Sequence, residues 1–167
     1  DVIQGHELNW EGDSIDRVFR VTYTGTVYAD GPFHSTGADF AEMLPAADGL
    51  EPGDVLMVGS DGQLVRSNGA NSTAVLGVYS TKPALVGGSD EEMANPGKVP
   101  LAVVGIVPVK ASAENGPIAP GDLLVASATP GHAMKAGPSP SIGTIIGKAL
   151  EGLESDTGLI KMLITLQ

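Results

Sequence analysis

An internal repeat is the feature of this sequence that most restricts its fold. The passage from Pro52 to Val78 reads as a turn, a buried strand, a tight turn, a second strand, a loop and a third strand, and the passage from Pro120 to Gly147 repeats that order. The offset between the two drifts only from 68 to 70 residues. Each begins with Pro-Gly-Asp, in which proline presets the first turn angle and glycine permits positive φ. The repeat predicts a duplicated β-hairpin unit in a pseudo-symmetric barrel or sandwich.

The remainder of the chain also reads as short strands, so we predict an all-β fold. Arg17–Tyr23 alternates polar and apolar residues, Thr24–Thr26 is a turn, and no window carries a helical stripe. We predict a shaft-like β segment over residues 1–36 and a β domain over residues 37–167. Because the first segment has a small apolar face and nothing of its own to bury it against, we expect it to continue an upstream repetitive shaft and to associate with other copies.

Composition excludes several classes of partner. The net charge is −11, and the nine Lys and Arg residues are scattered, which argues against binding to nucleic acid or to an anionic membrane surface. There is no cysteine, so disulfides, thiolate nucleophiles and thiolate metal sites are excluded. The apolar runs are too short to span a bilayer. The N-terminus resembles neither an initiator methionine nor a signal peptide, so we expect a fragment or a processed product.

Two acids three residues apart, Asp39 and Glu42, form the candidate site. They lie in a small, apolar stretch, residues 36–43, without Lys or Arg. Carboxylates held close in such surroundings raise one another's pKa, which makes an acid and a base suited to peptide hydrolysis. The alternative is structural, because acids in turns commonly accept hydrogen bonds from backbone amides. We predict that the two lie near one another and that at least one is buried.

Other candidate chemistry is weaker. His6, His34 and His132 are far apart and lack metal-ligand spacing, so we expect no metal and no cofactor. We interpret Asp54 and Asp122 as turn formers, and the acidic run at residues 90–92 as a solvated loop tip.

Several motifs occur in the same order in a known domain: Gly37–Glu42, Pro52–Asp54, Leu76–Gly88, Gly105–Val109 and Gly121–Val125. Over roughly residues 33 to 150 the chain thereby resembles the peptidase G2-like domain. That domain is the autoproteolytic, intramolecular chaperone domain at the C-terminus of phage neck-appendage and tail-spike proteins, and similar domains end bacterial surface and secreted proteins.

The resemblance implies a homotrimeric β domain that helps an upstream shaft fold and then cuts itself from it. Carried over, the scissile bond is Ala38–Asp39, Glu42 is the base, and Asp39 assists the leaving amine. The sequence departs from the pattern at Ala38, where the phage members have a polar residue, and at Met43–Pro45, where they have aromatics and an acid. We therefore expect first a trimeric structural or chaperone cap that need not cleave. The alternatives are a self-cleaving domain and a ligand- or receptor-binding tip. The expected location is extracellular, at a cell surface or on a virion appendage.

Overall fold

The computed structural model describes residues 3–8, 14–88 and 97–165, with side chains from residue 18 onward. Asp1–Ser35 and Thr36–Gln167 form two compact units. Every regular element in the described ranges is a β-strand, which confirms the all-β prediction. Within those ranges no helix is long and apolar enough to cross a membrane. The predicted acidic tip at residues 90–92 lies outside the described residues.

The first unit is a three-stranded antiparallel sheet of β1 (Ile3–Leu8), β2 (Ser14–Val21) and β3 (Val27–Ala29). Its second hairpin turns at residues 22–26, where the Thr22 N–H donates to the Thr26 carbonyl at 2.9 Å and Gly25 has a φ of 84°. Tyr28 stacks under the Arg20 guanidinium at 4.0 Å and is half exposed. Assignment of this unit to a shaft remains a prediction.

The described part of the second unit contains ten strands, nine of which build two related rings. They are β4 (Asp39–Pro45), β5 (Val55–Val58), β6 (Leu64–Arg66), β7 (Val75–Tyr79), β8 (Leu85–Gly87), β9 (Lys98–Ser112), β10 (Leu123–Ala126), β11 (Ala133–Lys135), β12 (Ile145–Ala149) and β13 (Thr157–Ile164).

Five of these strands close a barrel in the order β9, β11, β10, β12, β13 and back to β9. All neighbours are antiparallel except β9 and β11, which pair in parallel where Ala111 lies opposite Ala133. Val109, Leu124 and Met162 are fully buried in its core. A closed barrel has no free edges, so short strands suffice to hold it.

Four of the remaining strands, together with β9, repeat this plan, which confirms the internal duplication; β8 pairs with β4 and lies outside both rings. β4, β6, β5, β7 and the first half of β9 form a second ring, in which β5 pairs antiparallel with β6 and β7. Here Ala46, just after β4, makes a parallel bridge to Leu64 of β6, as β9 does to β11. Both rings carry a β-bulge, at Leu56/Met57 and at Leu124/Val125. The two rings share β9.

The Pro-Gly-Asp turns occupy equivalent places in the two rings. The Asp54 N–H donates to the Glu51 carbonyl at 3.0 Å, and the Asp122 N–H donates to the Ala119 carbonyl at 3.1 Å. In each turn the aspartate carboxylate also accepts a hydrogen bond from the backbone N–H of the residue three positions earlier. The Glu51 N–H donates to Asp54 at 2.9 Å, and the Ala119 N–H donates to Asp122 at 2.8 Å. The side chains therefore act as turn formers, as we predicted from the sequence.

Candidate functional site

The acidic segment forms a strand. β4 pairs antiparallel with β9 and in parallel with β8, so both of its edges are hydrogen-bonded. Along it, Asp39 and Ala41 are buried, whereas Phe40 and Glu42 are half-buried. This alternation places the side chains of Asp39 and Ala41 on one face of the strand and those of Phe40 and Glu42 on the other. Farther along that second face, Leu44 packs against the core cluster of Leu56, Leu64 and Leu101.

Asp39 is buried without full hydrogen bonding. The residue is 5% exposed, and its Oδ2 has no hydrogen-bond partner among the residues that the structure describes. Burial raises the pKa of the Asp39 carboxyl, and the nearby Ser80 hydroxyl opposes that rise. Ser80 is itself buried, at 2% exposure. The prediction that at least one of the two acids is buried is therefore confirmed for Asp39.

Glu42 projects from the other face of the strand. A separation of three residues places the two acids about 10 Å apart and on opposite faces. The Glu42 carboxylate lies against Gly87, where a Cβ would come within 2.5 Å of Oε2. Among the described residues Glu42 makes no ion pair. The strand thus does not bring the two carboxylates together within one chain. Sequence spacing did not reveal this, because spacing alone does not show on which face of a strand a side chain emerges.

The Ala38–Asp39 peptide bond and the peptide bond that follows it each accept a backbone hydrogen bond. The Ala38 carbonyl accepts the Ile106 N–H at 3.1 Å, and the Asp39 carbonyl accepts the Ala84 N–H at 2.7 Å. Two glycines allow this close approach: a Cβ on Gly105 would lie 2.5 Å from the Ala38 oxygen, and a Cβ on Gly37 would lie 2.5 Å from the Lys82 carbonyl oxygen. Ala38 is exposed although Asp39 is buried, so the peptide bond runs from the surface to a buried acid.

A cavity of about 210 Å³ adjoins this peptide bond. Besides residues 36–39 it is lined by Thr81, Lys82, Ile106, Pro108 and Lys161. Lys161 pairs with Glu151 at 2.9 Å, whereas Lys82 makes no ion pair within the described part of the chain. The cavity therefore places the side chains of Lys82 and Lys161 near Asp39, whose burial disfavours the ionised form of its carboxyl.

A second acidic cluster is built differently. Asp54 is 1% exposed and accepts hydrogen bonds from Arg66 Nε at 2.8 Å and Lys110 Nζ at 2.7 Å. Burial alone would raise the pKa of Asp54, but the Lys110, Glu51 and Arg66 hydrogen bonds outweigh it and lower that pKa. Because each carboxylate oxygen has its partners, this cluster reads as structural.

The histidines do not form a metal site in the described ranges. Nδ1 of His132 lies 2.8 Å from the Pro130 carbonyl, a local turn contact. The side chain of His6 lies outside the described residues. No group of three or more His, Cys, Asp or Glu converges among the residues that the structure describes.

Sequence reasoning did not single out Ser80 and Lys82. Both belong to the stretch 76–88 that carried the family resemblance, but neither has a spacing that links it to Asp39. A serine directly after the apolar strand Val75–Tyr79 was the one available signal, because a hydroxyl buried at the end of such a strand is unusual without a hydrogen-bond partner. Among the described residues Ser80 Oγ has none, as is also the case for Asp39 Oδ2.

Comparison with known proteins relates the chain to a protein family and to a solved structure. A sequence model of the XM1 gp53 minor capsid protein family matches residues 13–164. Among solved structures, the crystal structure of the pre-mature bacteriophage phi29 gene product 12 superposes with a TM-score of 0.65 at 12% sequence identity, over 90% of this chain and 24% of that chain. At this identity the likeness shows the fold alone, and the chain spans about a quarter of that protein's length. No curated protein matches.

Proposed function

The chain belongs to the XM1 gp53 minor capsid protein family and is thus a phage structural protein, and we propose that it is a trimeric cap that assists assembly of a virion fibre or spike. The peptidase G2-like resemblance, the trimer and an upstream shaft as partner are parts of this proposal. It is supported by the fold shared with a phage protein described as pre-mature. The proposed location is on the virion, as an appendage outside the host cell.

An apolar strip on the outer face of the second unit carries the assembly proposal. It consists of Leu85, Phe40, Val104, Ile106 and Leu163. Leu85 and Val104 are 63% and 56% exposed, and both lie opposite Phe40 in the sheet. Ile106 and Leu163 form the next cross-strand pair. Contiguous apolar surface of this kind on a soluble protein marks an interaction site, whereas scattered exposed apolar residues do not.

A charge placed in this strip should break the assembly. We expect Val104→Asp to convert the wild-type trimer into a folded monomer, because burying an unpaired carboxylate in an apolar interface costs several kcal/mol. Light scattering at micromolar concentration gives the mass, and circular dichroism checks the fold. Ile142→Asp is the matched control, since Ile142 is 94% exposed and outside the strip. A monomeric wild-type protein contradicts the trimer.

Self-cleavage at Ala38–Asp39 is a second candidate function, and the buried Asp39 favours it. Hydrolysis needs an acid that protonates the leaving amine, and burial raises the pKa of Asp39, which is the direction that this role requires. The Ile106 N–H, which already bonds the Ala38 carbonyl, would also stabilise the negative charge that develops on that oxygen. The proposed base is Glu42.

Intact-mass measurement tests this second candidate. We expect the wild-type chain to yield two fragments, residues 1–38 and 39–167, and Glu42→Gln to remain whole, because Gln keeps the shape of Glu but not its basicity. Glu154→Gln is a control on an exposed acid remote from β4 in sequence. A wild-type chain that stays full length after assembly rejects cleavage and leaves the structural cap, and a cut that persists in Glu42→Gln removes Glu42 from the role of base.

A further inference from the structure

We propose that the Ala38–Asp39 bond is cut between chains: the Glu42 that activates the water belongs to a second copy of this chain packed on the apolar strip. The inference rests on the self-cleavage candidate above and identifies its partner. It makes the site incomplete in a single chain, so cleavage depends on assembly.

The geometry of one chain excludes its own Glu42 from this role. Ala38 and Glu42 are both even-numbered and lie on one face of the extended chain, but four residues separate them by about 13 Å. The Phe40 ring stands between them on that face. A glutamate side chain does not reach that far, and a general base must lie within hydrogen-bond distance of the water it activates, or one water away.

The outer face supplies what a neighbouring copy needs. Ile106 belongs to the strip, lines the cavity beside the peptide bond, and donates its N–H to the Ala38 carbonyl. The strip therefore runs directly up to the bond to be cut. Glu42 is half-buried on the same face of β4 as Phe40, so a copy that packs the Phe40 end of its strip against the Ile106 end of this one brings its own Glu42 to the contact.

Charge favours the same occupant. Glu42 makes no ion pair in its own chain within the described ranges, and Lys82, which lines the cavity, is likewise without one. A carboxylate entering an apolar interface needs a cation or hydrogen-bond donors. The cavity of the neighbouring chain, with Lys82 and Lys161, provides cations for it. A head-to-tail contact of this type, in which one copy gives Glu42 and receives another, forms a ring when the rotation between neighbours closes, as it does in the proposed trimer.

The reaction balances with water as the only co-reactant. The neighbour's Glu42 carboxylate takes a proton from water as the water oxygen bonds to the Ala38 carbonyl carbon, and the Ile106 N–H stabilises the resulting oxyanion. The carbon–nitrogen bond then breaks, and its electron pair passes to the Asp39 nitrogen, which takes the proton of the Asp39 carboxyl. The products are a carboxylic acid at Ala38 and an amine at Asp39. Glu42 is left protonated and Asp39 ionised until exchange with solvent resets both.

Complementation between two inactive chains tests the inference. One chain carries Glu42→Gln and a mass tag, and the other carries Asp39→Asn; each alone is expected to stay whole. Co-expressed, they form mixed assemblies in which about half of the Glu42→Gln chains have a neighbour with an intact Glu42. We expect about that half to be cut at Ala38–Asp39, with the Asp39→Asn chain uncut. If the wild type is cut and the mixture is not, the base acts within its own chain and the inference is overturned.

Cross-linking tests the contact independently of cleavage, and the absence of native cysteine removes background. A chain with Glu42→Cys is mixed with a differently sized chain carrying Ile106→Cys and treated with a short bismaleimide. We expect a heterodimer band, and none when Ile142→Cys replaces Ile106→Cys. Absence of the 42–106 product overturns the proposed contact whether or not cleavage occurs. A 42–106 product from a wild type that is never cut retains the contact but rejects both the base role and the self-cleavage candidate.

Discussion

Gly147→Val should lower the free energy of unfolding by about 3 kcal/mol or more, the largest stability loss that we expect from a single added side chain. A Cβ at Gly147 would overlap the Leu163 carbonyl oxygen and lie 2.8 Å from Met162 Sδ. β12 is hydrogen-bonded to β10 on one side and to β13 on the other, so it cannot move away without breaking the barrel. Thermal unfolding should show a midpoint lower by about 10 °C.

Because the two rings are related, the same substitution can be tested at the equivalent glycine of the second ring. Gly77 occupies the equivalent place in the second ring, where a Cβ would lie 2.6 Å from the Ala102 carbonyl oxygen, so Gly77→Val should cause a similar loss. Gly137→Val is the matched control, because no atom lies within 4 Å of its added Cβ, and its stability should stay within about 0.5 kcal/mol of wild type. Unchanged stability of Gly147→Val would show that β12 and β13 do not approach as closely as described.

The duplicated fold was predictable because its signals are local. Pro-Gly-Asp fixes a turn through proline's φ, glycine's positive φ and the aspartate's side-chain hydrogen bond, and all of these operate within four residues. The contacts that close the two rings were not predictable. The Ala111–Ala133 and Ala46–Leu64 pairs join residues far apart in the sequence through one parallel bridge each, and short apolar segments carry no mark of such a partner.

The residues of the candidate site were predicted, but their arrangement was not, because it too depends on contacts between residues far apart in the sequence. A segment flanked by Gly37 and Pro45 reads as a turn, in which acids three residues apart can converge. Pairing with β8 and β9 extends it instead, and extension sends Asp39 and Glu42 to opposite faces. Burial of Asp39 depends on Gly105, which comes 66 positions later in the chain and whose missing side chain leaves room for the approach of β4. Sequence spacing therefore identified the residues but not their geometry.

Asp54→Ala should lower the free energy of unfolding by about 3 kcal/mol, because it removes the buried carboxylate that binds both Arg66 and Lys110 and leaves Lys110 only the exposed Glu51 as an ionic partner. Asp54 is 1% exposed, and Lys110, which pairs with it at 2.7 Å, is only 24% exposed. Lys110 lies on the second half of β9, so this pair ties the Pro-Gly-Asp turn of one ring to the strand that both rings share. Urea denaturation at neutral pH measures the loss.

Asp122→Ala is the control that the duplication provides. Asp122 forms the same turn but is 23% exposed and pairs with a Lys135 that is 39% exposed, within its own ring. Such a pair is screened by solvent, so we expect a loss of about 1 kcal/mol, most of it from the turn hydrogen bond. Equal losses in the two variants would show that the Asp54–Lys110 pair adds nothing beyond the turn.

The pH dependence separates the charge of Asp54 from its hydrogen bond to the turn. Hydrogen bonds from Lys110, the Glu51 N–H and Arg66 lower the pKa of Asp54 against the opposing effect of burial. A carboxyl with a lowered folded pKa stabilises the protein above its unfolded pKa of about 4, and that contribution is lost as the pH falls through the folded value. The difference between wild type and Asp54→Ala should therefore be constant from neutral pH down to about pH 5 and shrink below about pH 4. A difference that does not change on acidification would assign the whole effect to turn geometry and none to the buried charge.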